Sequence, residues 1–433
     1  MKLKSIIQNV GTNFLTTIFG LIGSVILARW LGPVNRGTFA AIILIPNILQ
    51  YFVNFGLSSA TIYFTALPNA NKHIIWNNIV IIAIFQSIIG VLIGWIIIDF
   101  YLFKFSLISV QLGHFYLITL PLGLFGMYAT YILQGASFFK ITNILKCIVP
   151  LGYCVSIIVL KIQNILSIEN MVYVQIFVQS MYLVASVAFL YKYILHRISL
   201  NIDLLQARVM LNYSVRVWFG DISQLANSRI DQFLIGFFLN SRDLGIYTVA
   251  VSVASFTSVF ANAVRTIIVP TVAGKETFTE KAETIIFYFK RYWFFGLIFH
   301  PIFAVSASIL IPSIFGSQYL EAVIIAQILI FGYLFINAKT VLAGGIQGMG
   351  FPEIISIVEF LGMIVSFVFS FVWIKNLGLL GVSIAITLAY FSQFIGLIVF
   401  TKNKNIATYR NLLKISTREL KDYYNWGKKI LIH

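Results

Sequence analysis

The sequence predicts an all-α, polytopic membrane protein of about twelve transmembrane helices. Of its 433 residues, 59% are hydrophobic and only 10% are charged, whereas soluble domains carry about 25% charged residues. The apolar runs reach the roughly 20 residues that a helix needs to cross the hydrocarbon core of a bilayer. They do not alternate in polarity, as the strands of a membrane β-barrel do. A bundle of membrane-spanning helices is therefore the fold that the composition favours.

Twelve predicted spans follow from the positions of the apolar runs and the polar breaks between them. The spans are 5–31, 37–67, 75–100, 107–134, 141–162, 168–192, 212–239, 244–272, 284–312, 319–347, 353–375 and 378–401. Because the number of spans is even, both termini are expected on the same side of the membrane.

The distribution of Lys and Arg predicts which side that is. Basic residues concentrate in the loops on the side of the termini and in the C-terminal tail, 402–433. Because cytoplasmic loops carry the excess of Lys and Arg, both termini are predicted to be cytoplasmic. The net charge of +16 then reflects this bias and a tail that lies along anionic headgroups, so no nucleic-acid partner is expected.

Two pairs of similar segments indicate an internal repeat. The segment RWLGPVNRGTFAA, after the first span, is similar to FFLNSRDLGIYTVA, after the seventh, with Gly37 matching Gly245. The segment ILQGASFFKITNI is similar to GIQGMGFPEIISI, with Gly135 matching Gly348. Both copies begin on the same side of the membrane, so the repeat is parallel, and such halves bracket a central cavity.

The repeat predicts two six-helix lobes. The first lobe covers 1–195 and the second covers 212–401. A cytoplasmic linker, 196–211, joins the two lobes, and a basic cytoplasmic tail, 402–433, follows the second.

Three segments of the first lobe carry a family resemblance. ILARWLGPVNRGTFA at the first hairpin, NFGLSSATIYF in the second span and ILQGASFF at the end of the fourth resemble polysaccharide-biosynthesis flippases. Such flippases form the Wzx-type, O-antigen branch of the multidrug/oligosaccharidyl-lipid/polysaccharide (MOP) exporter superfamily. The resemblance implies a V-shaped, MATE-like bundle in a bacterial inner membrane. It also implies transport of undecaprenyl-pyrophosphate-linked sugar units from the cytoplasmic to the periplasmic leaflet.

The seventh span, VRVWFGDISQLANSRIDQFLIGFF, places four charges where lipid is expected. They are Arg216, Asp221, Arg229 and Asp231. A charge at the bilayer centre costs about 2.5–3.5 kcal/mol on insertion scales. None of the four lies three or four residues from another, as pairing on one helix requires. Their partners are therefore expected on other helices or in the substrate, with most of this helix turned inward.

With three further charges in later spans, the second lobe offers more cations than anions. Because guanidinium groups fit phosphate oxygens, we expect the cations to contact a pyrophosphate headgroup; they are Arg216, Arg229, Arg265 and Lys339. Carboxylates with shifted pKa values could orient these cations or couple transport to H⁺ or Na⁺; the candidates are Asp221, Asp231 and Glu359. Structural salt bridges between helices are the alternative for each of these residues.

The first lobe contains no Asp or Glu before Asp99, which opposes a MATE-type drug antiporter. Exporters of that group generally bind H⁺, Na⁺ or cationic drugs with an acidic residue in this lobe. The second span instead carries a polar stripe at helical spacing, formed by Asn47, Gln50, Asn54, Ser58 and Thr61. Asn47, Gln50 and Asn54 are therefore candidates for hydrogen bonds to sugar hydroxyls. Interhelical hydrogen bonds, worth about 0.6 kcal/mol each on average, are the alternative.

The predicted function is a flippase for an oligosaccharide repeat unit, of O-antigen or a related surface polysaccharide, working by alternating access. Its expected partners are the lipid-linked substrate, membrane lipids, a polysaccharide polymerase and a chain-length regulator, with no cofactor beyond a coupling ion. A multidrug antiporter and a lipid II-type flippase are the alternatives, although lipid II flippases usually carry two additional spans. An enzyme is disfavoured, because the sequence shows no metal-ligand spacing, phosphate loop or nucleophile motif.

Overall fold

The computed structural model describes residues 3–197 and 201–413, and these residues are almost entirely helical. The first half contains α1 (Leu3–Val53), α2 (Leu57–Ala66), α3 (Lys72–Leu102), α4 (Leu107–Tyr116), α5 (Thr119–Gly135), α6 (Phe139–Ile162) and α7 (Ile168–Leu190). The second half contains α8 (Leu204–Phe238), α9 (Ser241–Ser255), α10 (Ser258–Ala273), α11 (Phe278–Phe315), α12 (Ala322–Gly348), α13 (Glu353–Asn403) and α14 (Tyr409–Leu413). Most of the predicted basic tail and residues 198–200 of the predicted linker lie outside the described residues.

The described helices account for twelve passes through the bundle, as predicted. Eight helical segments are long and apolar enough to cross a membrane, and α9 with α10 forms a ninth segment that is bent by 44°. Two of the eight, α1 and α13, each contain two spans, because the backbone turns at Gly32 (φ 73°) and Gly378 (φ 53°). The remaining pass is α8, whose polar and charged side chains exclude it from the apolar set.

The helix that carries the four charges begins earlier than predicted. Its first residue is Leu204 rather than 212, so part of the predicted linker is helical. The Asp203 side chain accepts a hydrogen bond from the Gln206 N–H at 3.0 Å, which caps the helix. Asn78 of α3 then holds the Asp203 backbone with two hydrogen bonds, of 2.9 and 3.1 Å. This capping contact fixes the start of α8 against the first lobe.

The second predicted span is interrupted between α1 and α2. Phe55 and Gly56 both have a positive φ, of 49° and 73°, which only glycine adopts at little cost. A Cβ on Gly56 would overlap the carbonyl oxygen of Ser214 in α8. The Asn54 carbonyl beside the break accepts a hydrogen bond from Gln86 Nε2 at 3.1 Å. The span is thus broken where it lies directly against the other lobe.

The two copies of the repeat contact each other at their matching glycines. A Cβ on Gly37 would overlap the carbonyl oxygen of Ser241, and a Cβ on Gly245 would overlap that of Pro33. Pro33 and Ser241 hold equivalent positions in the two copies, so the contact is reciprocal, as at a two-fold axis. We call this contact the glycine crossing.

The second matching pair of glycines supports the same relation. In the first copy, a Cβ on Gly135 would lie 2.7 Å from the Ile62 carbonyl oxygen of α2. In the second copy, a Cβ on Gly348 would lie 2.8 Å from the Val269 carbonyl oxygen of α10. Each lobe therefore packs the end of its second span against the end of its fourth in the same way.

Hydrogen bonds join the lobes near both ends of the bundle. We call the end with the Gly32 and Gly378 turns the hairpin face, and the opposite end, with residues 67–71 and the end of α13, the tail face. At the hairpin face, three side chains donate hydrogen bonds to carbonyl oxygens of the other lobe: Tyr319 to Ala28 at 3.0 Å, Arg29 to Ser313 at 3.3 Å and Lys104 to Phe237 at 2.7 Å.

Replacing Gly37 by alanine is expected to lower thermal stability. The added Cβ would overlap the Ser241 carbonyl, and overpacking of this kind costs about 1–3 kcal/mol. Gly20→Ala, on the same helix, is the matched control, because a Cβ at Gly20 meets no described atom within 4 Å. Thermal unfolding of the two purified variants, monitored by size-exclusion chromatography, checks this. Equal melting temperatures would contradict the close approach at the glycine crossing.

Candidate functional site

A polar cavity of about 350 Å³ lies between the lobes. It is lined by Arg36, Ala40, Ile43, Leu44 and Asn47 of α1, Ser228, Arg229 and Gln232 of α8, Thr248, Val251, Ser252 and Ser255 of α9, and Tyr333 of α12. We call it the polar cavity. Its described lining presents hydroxyl, amide and guanidinium groups but no carboxylate.

The two cations of the polar cavity are bonded only to neutral groups. Arg36 Nη2 donates to Ser24 Oγ at 3.3 Å, and Arg229 Nη1 donates to Gln232 Oε1 at 3.4 Å. Neither guanidinium forms an ion pair with any carboxylate in the described part of the chain. Charges inside a membrane normally pair with one another or face water. The polar cavity is therefore suited to an anionic ligand.

A second cavity of about 260 Å³ shares Asn47 and Arg229 with the first. Its other lining residues are Gln50, Tyr51, Asn54, Met127 and Leu225. We call it the amide cavity. It brings the predicted polar stripe of the first lobe next to Arg229 of the second, which no spacing along the sequence could show.

The three predicted amides of the stripe are placed differently. Asn54 is buried and is engaged by Ser58 and by Tyr128 Oη, which donates to its Oδ1 at 3.3 Å. Asn47 and Gln50 are only partly buried. Gln50 reaches towards Gly123, where an added Cβ would lie 2.6 Å from its Nε2 atom. Asn54 thus forms interhelical hydrogen bonds and also lines the amide cavity, as Gln50 does, while Asn47 lines both cavities.

A third compartment, of about 390 Å³, is apolar except for Arg229. We call it the apolar groove. It is lined by Ile45, Ile48, Leu49 and Phe52 of α1, Ile93 and Ile97 of α3, and Ile222, Leu225, Arg229, Ile230 and Phe233 of α8. Arg229 therefore stands where the polar cavity, the amide cavity and the apolar groove meet.

Lys339 and Glu359 form a buried salt bridge outside these compartments. Lys339 Nζ donates to Glu359 Oε1, and only 4% of Lys339 and 9% of Glu359 is exposed. Asn227 Nδ2 donates to the other carboxylate oxygen and to the Glu359 carbonyl oxygen, both at 2.8 Å. This arrangement joins α8, α12 and α13. Lys339 and Glu359 thus form the interhelical salt bridge that was the alternative for them, and Lys339 is not a cation open to substrate.

The remaining predicted site residues are not part of the polar cavity's lining, although Asp231 interacts electrostatically with Arg229. Arg265 Nη2 donates to Gln347 Oε1 at 3.2 Å near the tail face. Arg216 is exposed on α8, about 20 Å from Arg229 along the helix axis. Asp231 is buried and accepts hydrogen bonds of 2.7 Å from Tyr247 Oη and from the Gln232 N–H. The side chain of Asp221 lies outside the described part of the structure.

Arg36 joins the site although it lies outside every predicted group of residues. It follows the Gly32 turn by one helical turn and lines the polar cavity with Arg229. Arg36, Ala40, Ile43 and Asn47 recur at spacings of three and four, which places them on one face of a helix. That spacing is the signal by which the sequence could have linked Arg36 to the polar stripe.

The fold that encloses these cavities is that of membrane transporters. An inward-facing MATE-family multidrug resistance transporter of the MOP superfamily matches with a TM-score of 0.72 and 14% identity, covering 90% of this chain and 94% of its own. The lipid II flippase MurJ, in an inward closed conformation, matches with a TM-score of 0.76 and 14% identity, covering 93% and 89%. At such identities the likeness concerns the fold, and it confirms the predicted MATE-like, polytopic helical architecture.

Sequence comparison adds the family. Residues 26–324 match the family described as polysaccharide biosynthesis protein, and the chain belongs to that family. An uncharacterized membrane protein of Methanocaldococcus jannaschii is 22% identical over 423 residues, covering 90% of this chain and 82% of the relative. The predicted resemblance to polysaccharide-biosynthesis proteins is therefore confirmed, and the fold is similar to that of a MOP-superfamily transporter.

Proposed function

We propose that this protein is a flippase for undecaprenyl-pyrophosphate-linked oligosaccharide repeat units of O-antigen or a related surface polysaccharide. The observation that carries the proposal is the polar cavity, in which Arg36 and Arg229 form no salt bridge with a described carboxylate and Arg229 interacts with Asp231 only at longer range. Membership of the polysaccharide biosynthesis family and the MOP-superfamily fold support it.

The chemistry of the cavities fits the two ends of such a headgroup. Guanidinium groups bind phosphate oxygens through two parallel N–H donors and stay charged at every physiological pH. Asn47, Gln50 and Ser228, which line the cavities, supply donors and acceptors of the kind that sugar hydroxyls need. A pyrophosphate would neutralise the two cations, while the amides and hydroxyls would bind sugars in place of water.

The direction of transport follows from the two faces of the bundle. The positive-inside rule assigns the tail face to the cytoplasm of a bacterial inner membrane. Three side chains bond the lobes across the hairpin face, and Asn78 bonds the start of α8 to the first lobe near the tail face. The substrate would enter from the cytoplasmic side, and rocking of the lobes would open the hairpin face.

Coupling and downstream partners belong to the same proposal. Asp221, Asp231 and Glu359 remain the candidates for coupling transport to H⁺ or Na⁺. The flipped repeat unit would pass to a polysaccharide polymerase and a chain-length regulator. A multidrug antiporter on this fold would need an anionic cavity for cationic drugs, and the lining of the polar cavity opposes that alternative. A lipid II flippase would share the pyrophosphate and differ in the sugar.

Complementation tests the proposed function. We expect the wild-type chain to restore surface polysaccharide in a bacterial strain that lacks its own repeat-unit flippase and makes a matched sugar. A parallel strain depleted of its lipid II flippase is the control, and we expect no rescue there. Rescue of that second strain alone would favour the lipid II alternative. Failure in both strains, with raised tolerance of cationic drugs, would contradict the proposal in favour of an antiporter.

A further inference from the structure

We infer that the apolar groove binds the prenyl chain of a lipid whose phosphate contacts Arg229, an assignment that rests on the proposed flippase function. The groove is a gap between α3 and α8 over a floor formed by α1. The two helices meet at both ends of the gap. Near the hairpin face, the rings of Tyr101 and Phe233 stack with centroids 5.3 Å apart, and near the tail face Asn78 is bonded to Asp203. Between these contacts the helices part.

The gap has the length of a lipid chain within one leaflet. On α8 its lining runs from Ile222 to Phe233. These two positions are roughly 16 Å apart at 1.5 Å per residue. The hydrocarbon core is about 30 Å thick, so the groove covers about half of its depth.

The lining predicts a ligand chain that is apolar along its length within the groove. Ile48, Ile93, Ile97 and Ile230 supply the apolar walls, and the apolar part of the Arg229 side chain completes them. Arg229 also lines the polar cavity and the amide cavity. A lipid with a phosphate between its chain and its sugars could therefore occupy all three compartments at once.

The depth of Arg229 identifies which kind of lipid fits. Arg229 lies about 14 Å from the hairpin-face end of α8, which is close to the middle of a hydrocarbon core of about 30 Å. Resident phospholipids keep their phosphates at the membrane surface. A phosphate at this depth has to belong to a lipid whose headgroup is carried through the membrane, so the structure assigns the groove to the prenyl phosphate substrate.

Photolabelling of the full-length protein tests the assignment. The probe is a long-chain prenyl phosphate with a diazirine on its chain, added to purified protein in nanodiscs and mapped by mass spectrometry. We expect adducts in segments 45–52, 93–97 and 222–230. Ile97→Trp fills the groove and should lower their yield about tenfold. Ile96→Trp is the matched control, since Ile96 is 60% exposed and does not line the groove.

Two further arms make the outcome decisive. Arg229→Ala should lower labelling by the prenyl phosphate but not by the matching prenyl alcohol, and excess phosphatidylglycerol should not compete. Competition by phosphatidylglycerol would assign the groove to a resident phospholipid and overturn the inference, as would equal labelling of Ile97→Trp and Ile96→Trp. Ile93→Trp replaces Ile97→Trp if that variant does not fold.

Complementation separates this inference from the proposed function. If the wild type restores surface polysaccharide but the adducts lie outside the groove, the groove assignment is wrong and the flippase function stands. If the adducts lie in the groove but neither polysaccharide nor a repeat unit is exported, the prenyl phosphate site stands and the flippase function is wrong.

Discussion

Replacing Arg229 by alanine is expected to lower flipping about a hundredfold while leaving the protein folded. Hydrogen bonds to charged groups contribute about 1.5–3 kcal/mol, and a hundredfold loss falls within that range. Arg229 is the residue that lines the polar cavity, the amide cavity and the apolar groove together. The measurement is the initial rate of flipping of a fluorescent lipid-linked oligosaccharide in proteoliposomes, supported by complementation at matched membrane levels.

Three further arginine variants show whether the loss of flipping is specific to the cations of the polar cavity. Arg229→Lys should fall between wild type and Arg229→Ala, because an ammonium keeps the charge but loses the two-pronged donor geometry. Arg36→Ala should also lower flipping, since it removes the other cation of the polar cavity. Arg242→Ala is the matched control: Arg242 is half-exposed and pairs with Glu321 at 2.7 Å at the hairpin face, and such pairs contribute little. Equal flipping rates for Arg229→Ala and Arg242→Ala would contradict the assignment of Arg229 as a contact of the anionic headgroup.

Replacing Glu359 by glutamine is expected to cost about 3–5 kcal/mol of stability, because it leaves the buried ammonium of Lys339 without a counter-charge. Lys339→Met should cost a similar amount by leaving the Glu359 carboxylate unpaired. The double variant Lys339→Met/Glu359→Gln removes both charges and should recover most of the loss. Thermal unfolding of the four purified proteins gives the double-mutant cycle.

The stability cycle has a clear opposing outcome. If the double variant is no more stable than the single variants, Lys339 and Glu359 do not neutralise each other in the folded protein. The flipping rate of the double variant tests in addition whether Glu359 couples transport to an ion. A stable double variant that flips at the wild-type rate excludes Glu359 as the coupling carboxylate, and one that is stable but inactive retains it.

The sequence could predict the membrane spans because lipid imposes a length and a polarity on each of them. The turn at Gly32 falls in the break between the first two predicted spans, and the turn at Gly378 falls at the first residue of the last predicted span. The repeat was also visible, since Gly37 and Gly245 stand in similar segments. These features depend on neighbouring residues in the chain, which a single sequence displays directly.

The grouping of the site residues depends on contacts between distant parts of the chain, which periodicity does not encode. Nothing in the sequence shows that Arg229 lies beside Asn47, or that Lys339 lies beside Glu359. The break at Phe55 was equally hidden, because phenylalanine has no preference for a positive φ. It is imposed by the close approach of Gly56 to α8. Tertiary contacts thus decided which predicted charges are open to a ligand and which are paired.

The glycine crossing limits how far the sequences of the two halves can diverge. Each glycine lies against the backbone of the opposite copy, so a larger residue in one copy forces a shift in the other. A segment that contacts its own duplicate is constrained twice, once in each position. This double constraint accounts for the similarity of the two copies at the Gly37 and Gly245 hairpins. At Gly135 and Gly348, each glycine instead lies against the backbone of its own lobe, so each copy is constrained once.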